Sequence, residues 1–107
     1  MVNASDFVDD KLKSKKVVVF SKSYCPYCHK AKSTLEKYKL SADAYEVIEL
    51  DERDDGDSIQ DYLAKLTGKR TVPRVFIAGK CIGGGDETAA LDKKGELEKS
   101  LKSAGAL

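Results

Sequence analysis

The chain has 107 residues, room for one domain at the usual size of roughly 100–200 residues, spanning residues 1–107. With 41% hydrophobic and 35% charged residues it reads as a folded globular chain, and this composition excludes a disordered one. Nineteen Lys and Arg against 18 Asp and Glu give a net charge of +1, but residues 11–40 hold nine Lys and one Glu while residues 41–64 hold nine acids and one Arg. No aromatic stacking pattern accompanies the basic block, so it reads as a solvated Lys-rich surface and not as a nucleic-acid site. The longest unbroken run of Val, Ile, Leu or Phe is Val17–Phe20, too short to span a membrane. The first ten residues have neither the basic nor the apolar region of a secretory leader, so the expected setting is a reducing compartment, with the cytoplasm as default. Three cysteines, an odd number, exclude a fully paired disulfide framework.

Ser5-Asp6-Phe7-Val8 followed by Leu12 predicts a short amphipathic helix over 4–13. Val17–Phe20 is a β-branched run that predicts a buried strand, and 21–24 a loop. Pro26 suits the first turn of a helix, where a missing N–H costs little, and Ala31, Leu35 and Tyr38 continue that helix. Tyr45–Leu50 predicts a second strand, followed by an acidic turn ending at Gly56. Asp57 is the expected N-cap of a helix carrying Ile59, Tyr62, Leu63 and Leu66, with Gly68 at its C-terminus. Val75–Ile77 predicts a third strand, Ala78-Gly79-Lys80 a tight turn and Cys81-Ile82 a returning fourth strand. Gly83-Gly84-Gly85 then opens onto Asp86-Glu87 at a helix start, and helical stretches 89–93 and 96–102 close the chain. This order predicts an α/β fold with a small four-stranded mixed sheet flanked by helices on both faces. The first strand–helix–strand unit is expected to be parallel and right-handed, the last two strands antiparallel.

Cys25-Pro26-Tyr27-Cys28 carries the chemistry. A C-x-x-C pair at the strand-to-helix turn of such a unit reads as a redox pair, with both sulfurs on one helical turn and close enough to bridge. Cys25, near the N-cap, meets unpaired backbone N–H groups and the positive end of the helix dipole, and Lys22 adds a cation; such sites favour the nucleophilic thiolate. Cys25 is therefore assigned as nucleophile and Cys28, deeper in the helix, as resolving thiol. Cys25-Pro-Tyr-Cys28-His29 also matches the c-type haem attachment pattern, but the chain has no second His and only Met1 as methionine. A zinc site from Cys25, Cys28, Cys81 and His29 is disfavoured because residues 28 and 29 point about 100° apart on a helix. His29 reads as an exposed helix residue and Cys81 as a small buried hydrophobe. On pattern alone Pro73 is a turn proline at a strand's first position.

Taken together, Lys22-Ser-Tyr-Cys25-Pro-Tyr-Cys28, Thr71-Val72-Pro73-Arg74-Val75-Phe76-Ile77 and Ile82-Gly83-Gly84-Gly85-Asp86-Glu87 resemble the dithiol glutaredoxins over essentially the whole chain. The resemblance implies a thioredoxin-like fold, a cis Val72–Pro73 bond facing the redox pair, and glutathione as co-substrate with no metal or haem. It implies that Lys22 and Gln60, helped by Arg70, bind the glycyl carboxylate. The Thr71-Val72-Pro73 stretch is expected to line the groove, the Val72 backbone pairing antiparallel with the cysteinyl moiety. Gly85 and Asp86 are expected to hold the γ-glutamyl end, Glu87 sharing that task and Tyr27 flanking the mixed disulfide. The expected reaction is reduction of protein–glutathione mixed disulfides and of protein disulfides, by a monomer with no nucleic-acid or membrane partner.

Two other readings stay open at this level. Some relatives hold a [2Fe–2S] cluster between two subunits, although Pro26 stands where these typically have Ser or Gly. A thioredoxin reduced by a flavoprotein is the other, opposed by Tyr27 and the Gly83–Gly85 run.

Overall fold

The four apolar residues Val17–Phe20 are all buried and pair on both sides, which sets the rest of the architecture. The structure is a computed structural model and describes residues 3–107; Met1 lies outside the described residues. Helix α1 (Ala4–Ser14) is capped by the Asn3 side chain and leads into strand β1 (Val17–Ser21). Helix α2 (Pro26–Glu36) and strand β2 (Tyr45–Glu49) follow, then a single 3₁₀ turn (Leu50–Glu52) and helix α3 (Gly56–Thr67). Strands β3 (Arg74–Ile77) and β4 (Lys80–Gly83) and helices α4 (Gly85–Lys93) and α5 (Glu96–Ser103) complete the chain.

The sheet order is β2-β1-β3-β4. β1 and β2 are parallel, with Val17 opposite Tyr45, while β1–β3 and β3–β4 are antiparallel. Ala78 and Gly79 both have positive φ, 53° and 79°, as a two-residue turn between β3 and β4 requires. The expected mixed sheet of a thioredoxin-like α/β fold is therefore present.

Alternation along β1 sorts the core into two halves. Val18 and Phe20 pack with Phe76, Ile48, Ile59 and Leu63 on the face covered by α1 and α3. Val17 and Val19 pack with Val75, Ile77, Ala31, Leu35, Leu97 and Leu101 on the face covered by α2 and α5. Each of these buried Val, Leu, Ile and Phe side chains contributes about 1.5–3 kcal/mol relative to exposure. Phe20 and Phe76 meet edge to face at 5.7 Å. β1 is thus gripped from both faces, and its C-terminal end is a firm base for the turn into α2.

Several boundaries differ from expectation. β1 extends through Ser21, which pairs with Glu49, so the loop is shorter than 21–24. Leu50 leaves the second strand for the 3₁₀ turn but stays buried. α2 ends at Glu36, and Tyr38 lies beyond it, tied through its hydroxyl to Asp92. α3 begins at Gly56 with Asp55 as cap, placing Asp57 inside the first turn. A Cβ on Gly56 would stand 2.3 Å from the Leu50 carbonyl oxygen, so this start needs glycine. Leu66, one of the apolar residues α3 carries, is exposed, and Cys81, expected buried, is half-buried at the rim of the α1/α3 core.

Candidate active site

The redox pair forms where β1 hands over to α2. Cys25 is the N-cap of α2, with Pro26 just inside the helix, and its Sγ accepts the Cys28 backbone N–H at 3.4 Å. The Cys25 thiol is partly exposed and lies 3.9 Å from the Val72 carbonyl oxygen, across from the cis Val72–Pro73 bond. All three cysteines are free thiols.

Cys28 has the opposite surroundings. It is fully buried, on the same helix face as Ala31 and Leu35. Burial and the hydrogen bond with Cys25 push its thiol up to about 11, while the Lys22 N–H and the Ser21 side chain pull the other way. The Lys22 N–H donates to its Sγ at 3.4 Å.

The loop between β1 and α2 is braced by groups that sequence spacing does not connect. The Ser23 N–H donates to Asp51 Oδ1 at 2.9 Å and the Ser23 hydroxyl to Asp51 Oδ2; these bonds hold the Asp51 carboxyl below its ordinary range. His29 is exposed, as expected, and its Nε2 bonds the Ser23 carbonyl oxygen at 2.7 Å. Part of the acidic segment thus anchors the loop carrying the nucleophile. Asp51 lies 28 residues from Ser23, and no local pattern announces the pairing.

The residues expected around glutathione form two banks beside Cys25. On one bank, Lys22, Gln60, Asp57 and Asp51 line a hollow of about 230 Å³. Gln60 is 5% exposed, its Nε2 donates to the Arg70 carbonyl oxygen at 3.0 Å, and its Oε1 is buried without a partner among the described residues. Arg70 turns its guanidinium to Asp61 (2.9 Å) and Asp57 (3.5 Å) on the α3 surface. Thr71 is exposed, Val72 half-buried and Pro73 buried.

The other bank is the start of α4. A Cβ on Gly85 would stand 2.6 Å from the Tyr27 carbonyl oxygen, so glycine lets α4 begin directly against the first turn of α2. Asp86 pairs with Lys30 of α2 at 2.9 Å. Glu87 turns back, its Oε1 accepting the Gly84 N–H at 2.6 Å; in the free protein this carboxylate is a helix cap. Tyr27 is 57% exposed beside Cys25. Among the described residues, no group of three or more His, Cys, Asp or Glu is arranged to hold a metal ion.

A partly exposed thiol capping a helix, a buried thiol one turn on, and a cis-proline loop opposite, all on this sheet, define a thioredoxin-like thiol–disulfide oxidoreductase. The glutaredoxin family model matches residues 17–82. Glutaredoxin-C4 of Arabidopsis thaliana is 52% identical over 101 residues, covering 94% of this chain and 73% of that protein. Oxidized glutaredoxin 2 from Chlamydomonas reinhardtii superposes with a TM-score of 0.89 at 50% identity, covering 97% of this chain and 95% of that one. A buckwheat glutaredoxin solved in complex with glutathione superposes equally well, at 0.89 and 41% identity, covering 97% and 92%. The chain belongs to the glutaredoxin family and is a glutathione-dependent thiol–disulfide oxidoreductase.

Proposed function

We propose that Cys25 performs every first attack and that Cys28 enters only when the substrate is a protein disulfide. With a glutathionylated protein, the Cys25 thiolate attacks the glutathione sulfur. The Cys25–glutathione disulfide forms, and the protein sulfur leaves with the electron pair and takes a proton. A second glutathione thiolate then attacks the bound glutathione sulfur, releasing glutathione disulfide and Cys25. With a protein disulfide, Cys25 forms a mixed disulfide with one substrate sulfur and releases the other. Cys28 then attacks Cys25, freeing the substrate thiol and leaving the Cys25–Cys28 disulfide for glutathione to reduce. Glutaredoxin potentials of about −200 to −230 mV suit exchange with that pool.

The two banks support a placement for the tripeptide. Lys22, with the second N–H of the Gln60 amide, receives the glycyl carboxylate. Arg70 contributes from a distance, because Asp57 and Asp61 already hold it. Val72 pairs with the cysteinyl backbone between Thr71 and Pro73. The Gly85 and Asp86 N–H groups at the start of α4 receive the γ-glutamyl carboxylate. The Asp86 side chain takes the ammonium, and Glu87 supports that turn as its cap. Tyr27 flanks the mixed disulfide. Each route needs only one chain, consistent with a monomer in a reducing compartment such as the cytoplasm, acting without nucleic acid or membrane.

The contrast between Cys25 at the surface and Cys28 beneath it carries this reading. Glutathione-coupled assays on both substrate types, with Cys25→Ser and Cys28→Ser proteins, test it. Cys28→Ser should keep deglutathionylation and lose protein-disulfide reduction, and Cys25→Ser should lose both. Deglutathionylation at the wild-type rate by Cys25→Ser would overturn it.

A further inference from the structure

Ser21 ends β1 with no solvent exposure, and among the described residues none forms a hydrogen bond with its Oγ. A buried hydroxyl without a partner destabilises the fold. Alternation along the strand shows where this one points. Val17 and Val19 face Ala31 and Leu35 of α2, and Ser21, two residues further, faces the same way. The buried face of α2 continues from Leu35 and Ala31 to Cys28 at the helix start. The next backbone N–H along the chain, that of Lys22, donates to Cys28 Sγ at 3.4 Å. Ser21 and Cys28 thus share the β1–α2 interface, where Ser21 opposes the effect of burial on that thiol.

We propose that Ser21 donates a hydrogen bond to the Cys28 sulfur when that sulfur becomes the attacking thiolate, forming with the Lys22 N–H a two-donor cradle. A neutral thiol is a weak acceptor, so the hydroxyl stays unpaired in the resting protein. A thiolate is a charged acceptor and draws the bond in. In the resolving step Cys28 gives its proton to solvent and its thiolate attacks Cys25 Sγ. The Cys25–Cys28 bond forms and the bond from Cys25 to the substrate sulfur breaks. The departing sulfur takes the electron pair and then a proton, so the two enzyme thiols are oxidised and the substrate disulfide reduced. Ser21 keeps its own proton throughout. The inference rests on the dithiol reading above.

The test is a stopped-flow reaction of the reduced protein with one equivalent of a chromogenic aromatic disulfide, 5,5′-dithiobis(2-nitrobenzoate). Attack by Cys25 releases one coloured thiolate and resolution by Cys28 releases the second. Ser21→Ala should slow the second release roughly tenfold near neutral pH and move its pH midpoint up by about one unit. Its melting temperature should equal or exceed that of the wild type, since an orphan hydroxyl is gone. Ser21→Thr, which restores a hydroxyl, should recover the rate and the midpoint. A Ser21→Ala protein with an unchanged second release and pH profile would overturn the proposal. So would one in which both releases slow equally and Thr does not rescue them. A second release that survives Cys28→Ser would contradict the dithiol reading itself, and the Ser21 proposal with it.

Discussion

Cys25 and Cys28 share the first turn of α2, but one meets solvent and the other meets the sheet. Cys25 caps the helix, takes the Cys28 N–H and stands open beside Val72. Cys28 lies on the face that Val17 and Val19 bury, and its thiol is pushed up to about 11. Three residues of separation along a helix turn a side chain by about 300°, enough to divide two chemically identical groups between two tasks. A substrate disulfide can reach only the first sulfur. The second is buried, and its raised proton affinity keeps it a thiol near neutral pH.

Removing the exposed partner should have the largest effect: Cys25→Ser is expected to abolish turnover of both substrate types. Cys28→Ser is expected to reduce protein-disulfide turnover to background while deglutathionylation stays within about threefold of wild type. The same variant sharpens the comparison through stability. Below about pH 8 the Cys28 thiol is neutral in both folded and unfolded chains and contributes nothing. As pH rises toward 11 the unfolded chain ionises first, so folding stability falls. Two pKa units correspond to about 2–3 kcal/mol. Denaturant titrations of the reduced proteins should therefore show the wild type losing about 2 kcal/mol of this between pH 8 and 11 relative to Cys28→Ser. Parallel stability curves would contradict the buried, protonated state.

The two banks of the groove allow smaller changes. Lys22→Ala removes a half-buried cation facing the expected carboxylate. It should raise KM for a glutathionylated substrate about tenfold with little change in kcat, as loss of a charged hydrogen bond of about 1.5 kcal/mol requires. Arg70→Ala should change KM less than about threefold, because Arg70 is half exposed and already paired with Asp57 and Asp61. Equal effects from Lys22 and Arg70 would show that Arg70 leaves its carboxylates when glutathione binds.

Much of this site was legible in the chain, because its signals are local. An apolar run too short for a helix, a proline just inside a helix start and two cysteines one turn apart are read within twelve residues, Val17 to Cys28. The turn at Ala78–Gly79 and the glycine ending α3 at φ 81° were equally plain. What escaped depends on contacts between distant segments. The start of α3 at Gly56 is set by a close approach to Leu50 O, which no capping rule reveals. Asp51 bracing Ser23, and the burial of Ser21 at the end of β1, arise only once the sheet is formed. Asp86 and Glu87 are both expected at the γ-glutamyl end, but in the fold Asp86 pairs with Lys30 and Glu87 accepts the Gly84 N–H.

The division of labour between the two sulfurs is tested most directly by the mass of the protein trapped during turnover. Each reduced protein is mixed with a glutathionylated protein substrate, quenched with acid and weighed intact, with the modified cysteine located by peptide mapping. Cys28→Ser should carry one glutathione, on Cys25, and Cys25→Ser should carry none on Cys28 over the same interval. Glutathione appearing on Cys28 of the Cys25→Ser protein, as fast as it appears on Cys25 of the other, would contradict the account.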